Sequence, residues 1–368
     1  MFFFKSFFAI VNYILIIGLL LSYLAPHISP ENFWFIAFFG LAYPIFLILN
    51  ILFVIFWLIQ FNIRFIFSLL AIAAGYHQIS SFAQINIKNA TIDKVDEAKA
   101  IKVMSYNVRV FDLYNWSHNK ETRNKMLGLI GDESPDILCL QEFYADDSRG
   151  FNTLDTLLTF PKKKNYHIEY TTTLQKMHHW GIATFTKYPI VNKGKIIFEE
   201  KSNNLCIYTD IKVDDDTVRI YNMHLQSIHF DYVDYRFVDS LSVEKLNEKD
   251  TKEKSKSIFR RLKNAFIKRA GQVDIVSEHI RKCPYPVIVC GDFNDTPSSY
   301  TYHTISKNLK DAFVESGNGL GRTYTGSFPS FRIDYILYSP QFKSYEFHTI
   351  PEKLSDHYPV NCYLEILK

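Results

Sequence analysis

A carboxylate and a carboxamide stand two positions apart near the C-terminus, in the run Asp292-Phe293-Asn294. The residues before them, Val287-Ile288-Val289-Cys290-Gly291, form an apolar run that stops at a glycine and so predicts a strand buried on both faces. Polar groups at the carboxyl end of such a strand occupy a common position for a functional site. Asp292 could accept a proton there, and Asn294 could donate a hydrogen bond. Taken alone, an aspartate in this position is more often a loop-capping residue than a catalyst.

Polar clusters also follow or interrupt other predicted strands. In chain order they are Asn107 after Val103-Met104-Ser105-Tyr106, Gln141-Glu142 after Ile137-Leu138-Cys139-Leu140, Asn222 and His224 after Val218-Arg219-Ile220-Tyr221, Asp334 within residues 332–337, and Ser355-Asp356-His357. Burying so many acids, histidines and asparagines without partners would be costly. A metal ion and a phosphate group would supply such partners.

Together and in this order, the clusters resemble the motifs of the endonuclease/exonuclease/phosphatase superfamily, which has the DNase-I-like fold. The resemblance covers roughly residues 100 to 368. It implies a four-layer α/β sandwich, in which two β-sheets pack face to face with helices outside and the site opens at one edge. The sequence independently favours this class, with strand-like runs such as Ile182-Ala183-Thr184-Phe185 and helical patterns near residues 121–131 and 256–281.

The resemblance implies hydrolysis of phosphate ester bonds and assigns roles to these side chains. Asp292 would orient or deprotonate the attacking water, with Asn294 as a neighbouring donor. His357 would pair with Asp334, which fixes the imidazole tautomer and favours the charged ring. His224 would supply a second donor to the phosphoryl oxygens.

A divalent cation is the expected cofactor. Glu142 is the predicted principal ligand, because a carboxylate at a strand end is a hard oxygen donor suited to Mg²⁺ or Mn²⁺. Asn107 and Asp356 would complete or support that site. Asn222 and Arg269 are the predicted substrate-binding residues, although a solvated helix face explains Arg269 equally well.

The N-terminal region lacks charge over long stretches. Residues 6–30, 32–63 and 65–87 contain no Asp, Glu, Lys or Arg, and a bilayer is crossed by about 20 apolar residues. The third stretch weakens after Gly75, so the sequence allows two or three spans. We favour three spans, because a proline such as Pro44 is tolerated inside a membrane-spanning helix. The lipid bilayer is then the predicted binding partner of the N-terminal helices. Lys5 and Arg64 would then be cytoplasmic, and the catalytic domain would lie outside the cytoplasmic membrane, in the periplasm if the cell has two membranes.

This reading divides the chain into a transmembrane region over residues 1–85, a polar linker over 86–100 and a catalytic domain over 101–368. An insertion over residues 229–257 interrupts the family pattern, and its aromatic first half could fold over the site or touch the membrane. The five cysteines show no spacing typical of a disulfide framework or a zinc site. Cys139 and Cys290 are predicted to be small buried hydrophobic residues.

The net charge of the chain excludes few classes of substrate. The chain has 41 Lys and Arg against 38 Asp and Glu, which is less basic than a dedicated duplex-DNA binder. Residues 254–269 are the local exception, with seven basic residues and no acid. This segment could meet anionic lipid headgroups or a polyanionic substrate, or could simply be a solvated helix face.

The run Asn-Met-His-Leu-Gln around His224 resembles the DNase-I, sphingomyelinase and phosphoinositide phosphatase branches more than the exonuclease-III-like enzymes. The Trp-Cys-Asp-Arg signature of inositol 5-phosphatases is replaced here by Ser330-Phe331-Arg332-Ile333-Asp334. We therefore predict a membrane-anchored phosphodiesterase that acts on nucleic acid or a phospholipid headgroup.

Two alternatives belong to other classes. The first is a catalytically silent membrane module that uses the fold for binding, and the complete set of site residues argues against it. The second is a sensing role for the spans, whose only acids and bases lie at their flanks, so that an ion path is not favoured.

Overall fold

The computed structural model of the chain describes residues 2–86, 100–147, 151–198, 203–228, 248–326 and 331–367. The predicted linker over 86–100 therefore lies almost wholly outside the described residues. The same holds for residues 229–247 of the predicted insertion.

Helices fill the N-terminal region, as its content of Phe, Ile and Leu predicts. They are α1 (Phe2–Leu24), α2 (Pro30–Leu41), α3 (Tyr43–Ile59), α4 (Phe65–Ala74) and α5 (Tyr76–Ser80). The Ser29 side chain caps α2 by accepting a hydrogen bond from the Glu31 amide. Pro44, in the first turn of α3, cannot donate the hydrogen bond that would continue α2, and the two helices meet at a bend of 47°.

The predicted second span is therefore divided between two helices at the position of Pro44. Among the described helices, Lys5–His27 is long and apolar enough to cross a membrane by itself. The bent pair α2 and α3 would count as a second span only if both helices act as one. Helix α4, with 10 residues, is shorter than a full span.

Helices α1, α3 and α4 run up, down and up beside one another. Near one end, the Trp57 indole and the Ser68 hydroxyl both contact Asn12. Near the other end, the Tyr23 hydroxyl donates to the Ala71 carbonyl and its ring lies 6.0 Å from that of Tyr43. The start of α1 and the turn between α3 and α4 therefore lie at the same end of this bundle.

Two six-stranded sheets form the centre of the remaining chain. The first has the order β13-β14-β2-β3-β5-β4, and the second has the order β10-β12-β9-β8-β7-β6. The strands are β1 (Ala83–Gln84), β2 (Ile101–Asn107), β3 (Ile137–Asp146), β4 (Asn165–Leu174), β5 (His178–Thr186), β6 (Ile190–Ile196), β7 (Leu205–Val213), β8 (Asp216–His224), β9 (Val287–Asp292), β10 (Lys310–Asp311), β11 (Gly319–Leu320), β12 (Asp334–Tyr338), β13 (Phe342–Thr349) and β14 (Val360–Ile366).

Helices cover the outer faces of both sheets. They are α6 (Thr122–Glu133), α7 (Thr153–Leu158), α8 (Glu248–Arg281) and α9 (Tyr300–Ser306), whereas α10 (Ala312–Ser316) contributes Ala312 and Phe313 to the core between the sheets. Side chains alternate across β9, so that Ile288 and Cys290 pack into the core between the sheets while Val287 and Val289 pack in the cluster that contains α8. This arrangement confirms the four-layer α/β sandwich and the prediction that β9 is buried on both faces.

The N-terminal helices pack directly on the sandwich. The rings of Phe38 on α2 and Phe259 on α8 stack with their centroids 4.5 Å apart. A Cβ atom at Gly40 would lie 2.6 Å from the Ser298 carbonyl oxygen, so this close approach requires glycine. Strand β1 pairs with β11, and the Arg332 guanidinium donates to the Ser81 carbonyl. The N-terminal helices and the sandwich are therefore joined through several elements.

Candidate active site

Strand register brings three of the predicted residues into one row. His224 at the end of β8 lies opposite Asp292 at the end of β9, and Asp292 lies opposite Asp334 at the start of β12. In the other sheet, Asn107 ends β2 opposite Gln141 of β3. Side chains that are far apart in sequence thus meet at one edge of the sandwich.

Asn107 links the two sheets. Its Nδ2 atom donates to the Asp292 carboxylate at 3.0 Å and lies 3.2 Å from the Glu142 carboxylate. Its side-chain oxygen accepts from the Arg109 amide at 3.0 Å. One carboxamide therefore holds two acidic groups that would otherwise repel each other.

Glu142 occupies an irregular position in β3. Its φ of 50° coincides with a register shift between Leu140 and Phe143. A bulge of this kind re-aims a side chain relative to its neighbours on the strand. The Glu142 side chain is 34% exposed, against 1% for Asp292, so it is the more open carboxylate of this pair.

His357 lies between two buried carboxylates. Its Nδ1 atom is 2.9 Å from Asp334, and its Nε2 atom is 3.6 Å from Asp292. Burial alone would lower the pKa of His357, but the negative charges of Asp334 and Asp292 outweigh it and raise the pKa well above its ordinary value. The geometry therefore favours a charged imidazolium.

Burial raises the pKa of Asp292, an effect that the nearby His357 opposes and Asp334 reinforces. Its second oxygen accepts from the Asn294 amide at 2.8 Å. Asn294 adopts a left-handed backbone conformation with a φ of 53°, and its side chain donates to the Leu225 carbonyl. These contacts fix the carboxylate against the loop that follows β9.

His224 faces both acidic groups without a hydrogen bond. Its Nε2 atom lies 3.6 Å from Glu142 and 3.7 Å from Asp292. That nitrogen is buried and has no hydrogen-bond partner among the described residues, and the same is true of one Asp334 oxygen. Two polar atoms at this edge are thus available to a further group.

The structure buries both predicted substrate-binding residues, Asn222 and Arg269. Asn222 is fully buried, where it donates to the Ala183 carbonyl at 2.9 Å and accepts from Gln141 at 2.7 Å, so it holds the sheets together. Arg269 is 1% exposed and bonds to Asp295 and to the Gln226 carbonyl. The packing of α8 on the sheet turns Arg269 inward, so Arg269 does not lie on a solvated helix face.

Asp356 pairs with Arg109. Its carboxylate is 3.3 Å from the Arg109 guanidinium, and the neighbouring Ser355 hydroxyl donates to the Asn107 carbonyl at 2.9 Å. Arg109 is a residue that the sequence reasoning missed. It opens a run of left-handed residues, 109–112, with φ between 43° and 57°. Val110 and Phe111 rarely adopt this conformation, so nothing in the local sequence predicts the turn.

A cavity of about 350 Å³ opens beside Asp356. Its lining includes Arg109, Trp116 and Lys353. The Arg109 guanidinium lies 4.4 Å from the centre of the Trp116 ring. A cationic and an aromatic surface therefore adjoin the acidic cluster.

The family model described as the endonuclease/exonuclease/phosphatase family matches residues 104–357, which include every predicted site residue. The chain belongs to this family. Enzymes of the family are hydrolases that act on phosphate ester bonds. A second model, described as a domain of unknown function (DUF8431), matches residues 5–82. No curated protein matches the chain.

Solved structures share the fold. An endonuclease/exonuclease/phosphatase from Beutenbergia cavernae is 18% identical, with a TM-score of 0.52 over 73% of this chain and 72% of that one. The catalytic domain of human Nocturnin with a bound sulfate anion is 19% identical, with a TM-score of 0.51 over 73% and 94%. A family protein from Bacteroides vulgatus is 17% identical, with a TM-score of 0.50 over 73% and 99%.

The donor set of the site suits a divalent cation, which enzymes of this family typically use. Carboxylate and carboxamide oxygens are the ligands that Mg²⁺ and Mn²⁺ prefer, and Glu142 presents an open carboxylate next to Asn107. Asp292, Asp334 and His357 form a second group of potential metal ligands, and their ligand atoms lie within 4.8 Å of one another. His357 and Asp334 already bond to each other, which leaves the Glu142 side as the more accessible position for an ion.

Proposed function

We propose that this protein is a membrane-anchored, divalent-metal-dependent phosphodiesterase that hydrolyses nucleic acid or a phospholipid headgroup. One observation carries the proposal. A continuous set of contacts runs from Glu142 through Asn107 and Asp292 to His357 and Asp334, and it joins an open carboxylate to a buried charged pair. Phosphoester hydrolysis requires these elements, namely a base, a positive group and an oxygen-rich ion site.

Asp292 is the proposed base. Its raised pKa makes the carboxylate a stronger proton acceptor, and the Asn107 and Asn294 hydrogen bonds hold it in one orientation. Charged His357 stabilises the negative charge that develops on the phosphoryl oxygens, with Asp334 keeping the ring protonated. The unpartnered Nε2 atom of His224 is the proposed second donor.

Glu142 is the proposed principal ligand of a Mg²⁺ or Mn²⁺ ion, supported by Asn107 and Asp356. When bound, such an ion neutralises charge on the phosphoryl group. Asn107 positions the Glu142 carboxylate relative to Asp292, and Arg109 positions Asp356.

The catalytically silent alternative predicts a site that has lost some of its contacts. Here His224, Asp292, Asp334 and His357 retain mutual distances of 3.7 Å or less between neighbours.

The full-length protein in detergent, assayed with Mg²⁺ and with Mn²⁺ against DNA, RNA, phospholipids and a generic phosphodiester, tests the function directly. We expect metal-dependent hydrolysis that the Asp292→Asn variant lacks. Hydrolysis of no phosphodiester by folded, metal-loaded protein would favour the silent module.

We propose that residues 1–85 cross the cytoplasmic membrane three times, that 86–100 link them to the catalytic domain over 101–368, and that this domain lies outside the cytoplasm. The up, down and up course of α1, α3 and α4 supports an odd number of crossings, with α5 extending α4 toward the catalytic domain. Lys5 and Arg64 belong to the end of the bundle opposite α5, and the positive-inside rule places these basic residues in the cytoplasm. Local thinning of the bilayer and snorkelling of flanking residues accommodate the shorter helices.

Fusions to alkaline phosphatase, which is active only outside the cytoplasm, test this topology. We expect an active fusion after Lys99 and a silent one after Arg64. A silent fusion after Lys99, with equal expression, would put the catalytic domain in the cytoplasm.

A further inference from the structure

The basic segment of α8 contains an ordered stripe. Lys252, Lys256, Phe259, Lys263 and Phe266 recur every three or four residues and therefore lie along one side of the helix. We call these five residues the α8 stripe. Its C-terminal part is aromatic, and its N-terminal part is basic.

The aromatic part of the stripe rests on α2. The rings of Phe259 and Phe266 contact Phe38 at centroid distances of 4.5 and 5.2 Å. The Lys263 ammonium lies 4.4 Å from the centre of the Trp34 ring. Helix α2 begins where α1 ends, so in the proposed topology the stripe meets the anchor at the level of the outer headgroups. Tryptophan is typical of that level.

The basic part continues along the same side of α8 beyond the contact with α2. Lys252 and Lys256 lie two turns and one turn before Phe259, and both are exposed. Arg260, also exposed, flanks the stripe, and Glu253 is the nearest acidic residue on this part of the helix. Since the chain as a whole is nearly neutral, this positive surface is local.

We propose that the basic part of the α8 stripe binds anionic phospholipid headgroups of the outer leaflet. The proposal rests on the membrane-anchored arrangement proposed above. Continuity with the α2 contact favours a lipid surface over a nucleic acid, because Phe259 and Lys263 hold this side of α8 against aromatic residues of the anchor. Basic side chains next to a bilayer attract anionic lipids electrostatically.

Trp34 provides a readout that does not involve hydrolysis. The full chain is placed in phosphatidylcholine nanodiscs that contain either brominated phosphatidylglycerol or brominated phosphatidylcholine at equal mole fraction. Bromine quenches tryptophan at short range, and the Trp34→Phe variant gives the signal of the other tryptophans. We expect quenching of Trp34 by the anionic lipid to exceed that by the neutral lipid about twofold, and added salt to remove the excess.

Matched variants locate the effect. The triple variant Lys252→Gln, Lys256→Gln and Arg260→Gln should abolish the excess quenching by the anionic lipid. It should preserve the contact between Lys263 and the Trp34 ring. Lys254→Gln, Arg261→Gln and Lys268→Gln remove the same charge from the opposite side of the helix and should retain it.

Equal quenching by both lipids in the wild type would overturn the proposal. An equal loss of the excess quenching in the two triple variants would also overturn it, because the attraction would then depend on the net charge of α8 and not on the stripe. Oligonucleotide binding in pure phosphatidylcholine nanodiscs that only the stripe variant loses would assign the stripe to nucleic acid instead. Inactivity of the enzyme in every assay leaves this readout unaffected.

Discussion

Two of the buried polar clusters in the described residues, one between the N-terminal helices and one at the edge of the sandwich, differ in how their hydrogen bonds close. In the bundle, Trp57 donates to Asn12, Asn12 donates to Ser68, and Ser68 donates to Asn50, at 2.7 to 3.0 Å. Asn50 in turn donates to main-chain carbonyls of α1 and α3. All four side chains are uncharged, and each has a partner.

The sandwich cluster is charged and incomplete. His224 Nε2 and one Asp334 oxygen have no partner among the described residues, and the negative charges of Asp334 and Asp292 raise the pKa of His357. A closed neutral network stabilises one packing of the helices, whereas an open charged network retains groups that a ligand can satisfy. The bundle cluster therefore suits a structural role, and the sandwich cluster suits a chemical one.

The largest effect is expected at Asp292. Asp292→Asn keeps the shape of the side chain and removes its charge, so turnover should fall by at least about a hundredfold with thermal unfolding little changed. Asp210, a buried strand aspartate paired with Arg219 in the same sheet, is the matched control. Asp210→Asn should lower stability and leave turnover per folded molecule near wild type. Activity retained in Asp292→Asn would refute its role as a base.

A second effect concerns pH. The pKa of His357 is higher in the folded protein than its unfolded value of about 6.5. The pairing of His357 with Asp334 therefore contributes its full stabilisation of the fold below about pH 6.5, and this stabilisation is lost as pH rises through the folded-state pKa. Activity that needs charged His357 should fall over the same alkaline range. Asp334→Asn removes a cause of the raised pKa and should move that limb of the pH–rate profile to lower pH. A lower plateau with an unmoved limb would indicate a purely structural role for Asp334.

A smaller effect is expected for Glu142→Gln. The change removes an oxygen charge from the proposed ion site and should raise the Mg²⁺ or Mn²⁺ concentration needed for half-maximal activity by about 10- to 100-fold. Excess metal should recover part of the rate, as measured by metal titration. Titration curves that match the wild type would exclude Glu142 as the ligand.

The smallest effect is expected in the bundle. Asn12→Leu leaves the Trp57 N–H and the Ser68 hydroxyl without this partner, and each interhelical hydrogen bond contributes about 0.6 kcal/mol. Unfolding of the full chain in mixed micelles should begin at a lower denaturant concentration, with kcat unchanged. A loss of kcat comparable with that of Asp292→Asn would show that the two clusters are energetically coupled.

Residue type and spacing alone determined much about this protein. The run Val287-Ile288-Val289-Cys290 could be predicted as a strand buried on both faces, because alternate side chains of a fully apolar run must enter two different cores. The ordered polar clusters predicted the family and its sandwich, and both are confirmed. The length of the first apolar stretch likewise predicted α1.

Tertiary packing alone decided which polar residues face the site. Arg269 and Asn222 have the types expected of substrate ligands, yet α8 and the opposing sheet bury both, since burial depends on the element that packs over a residue. The left-handed turn at Arg109 and the packing of α2 on α8 likewise depend on contacts across the chain. A local pattern specifies which face of an element is apolar, but only the assembled fold specifies what covers each face.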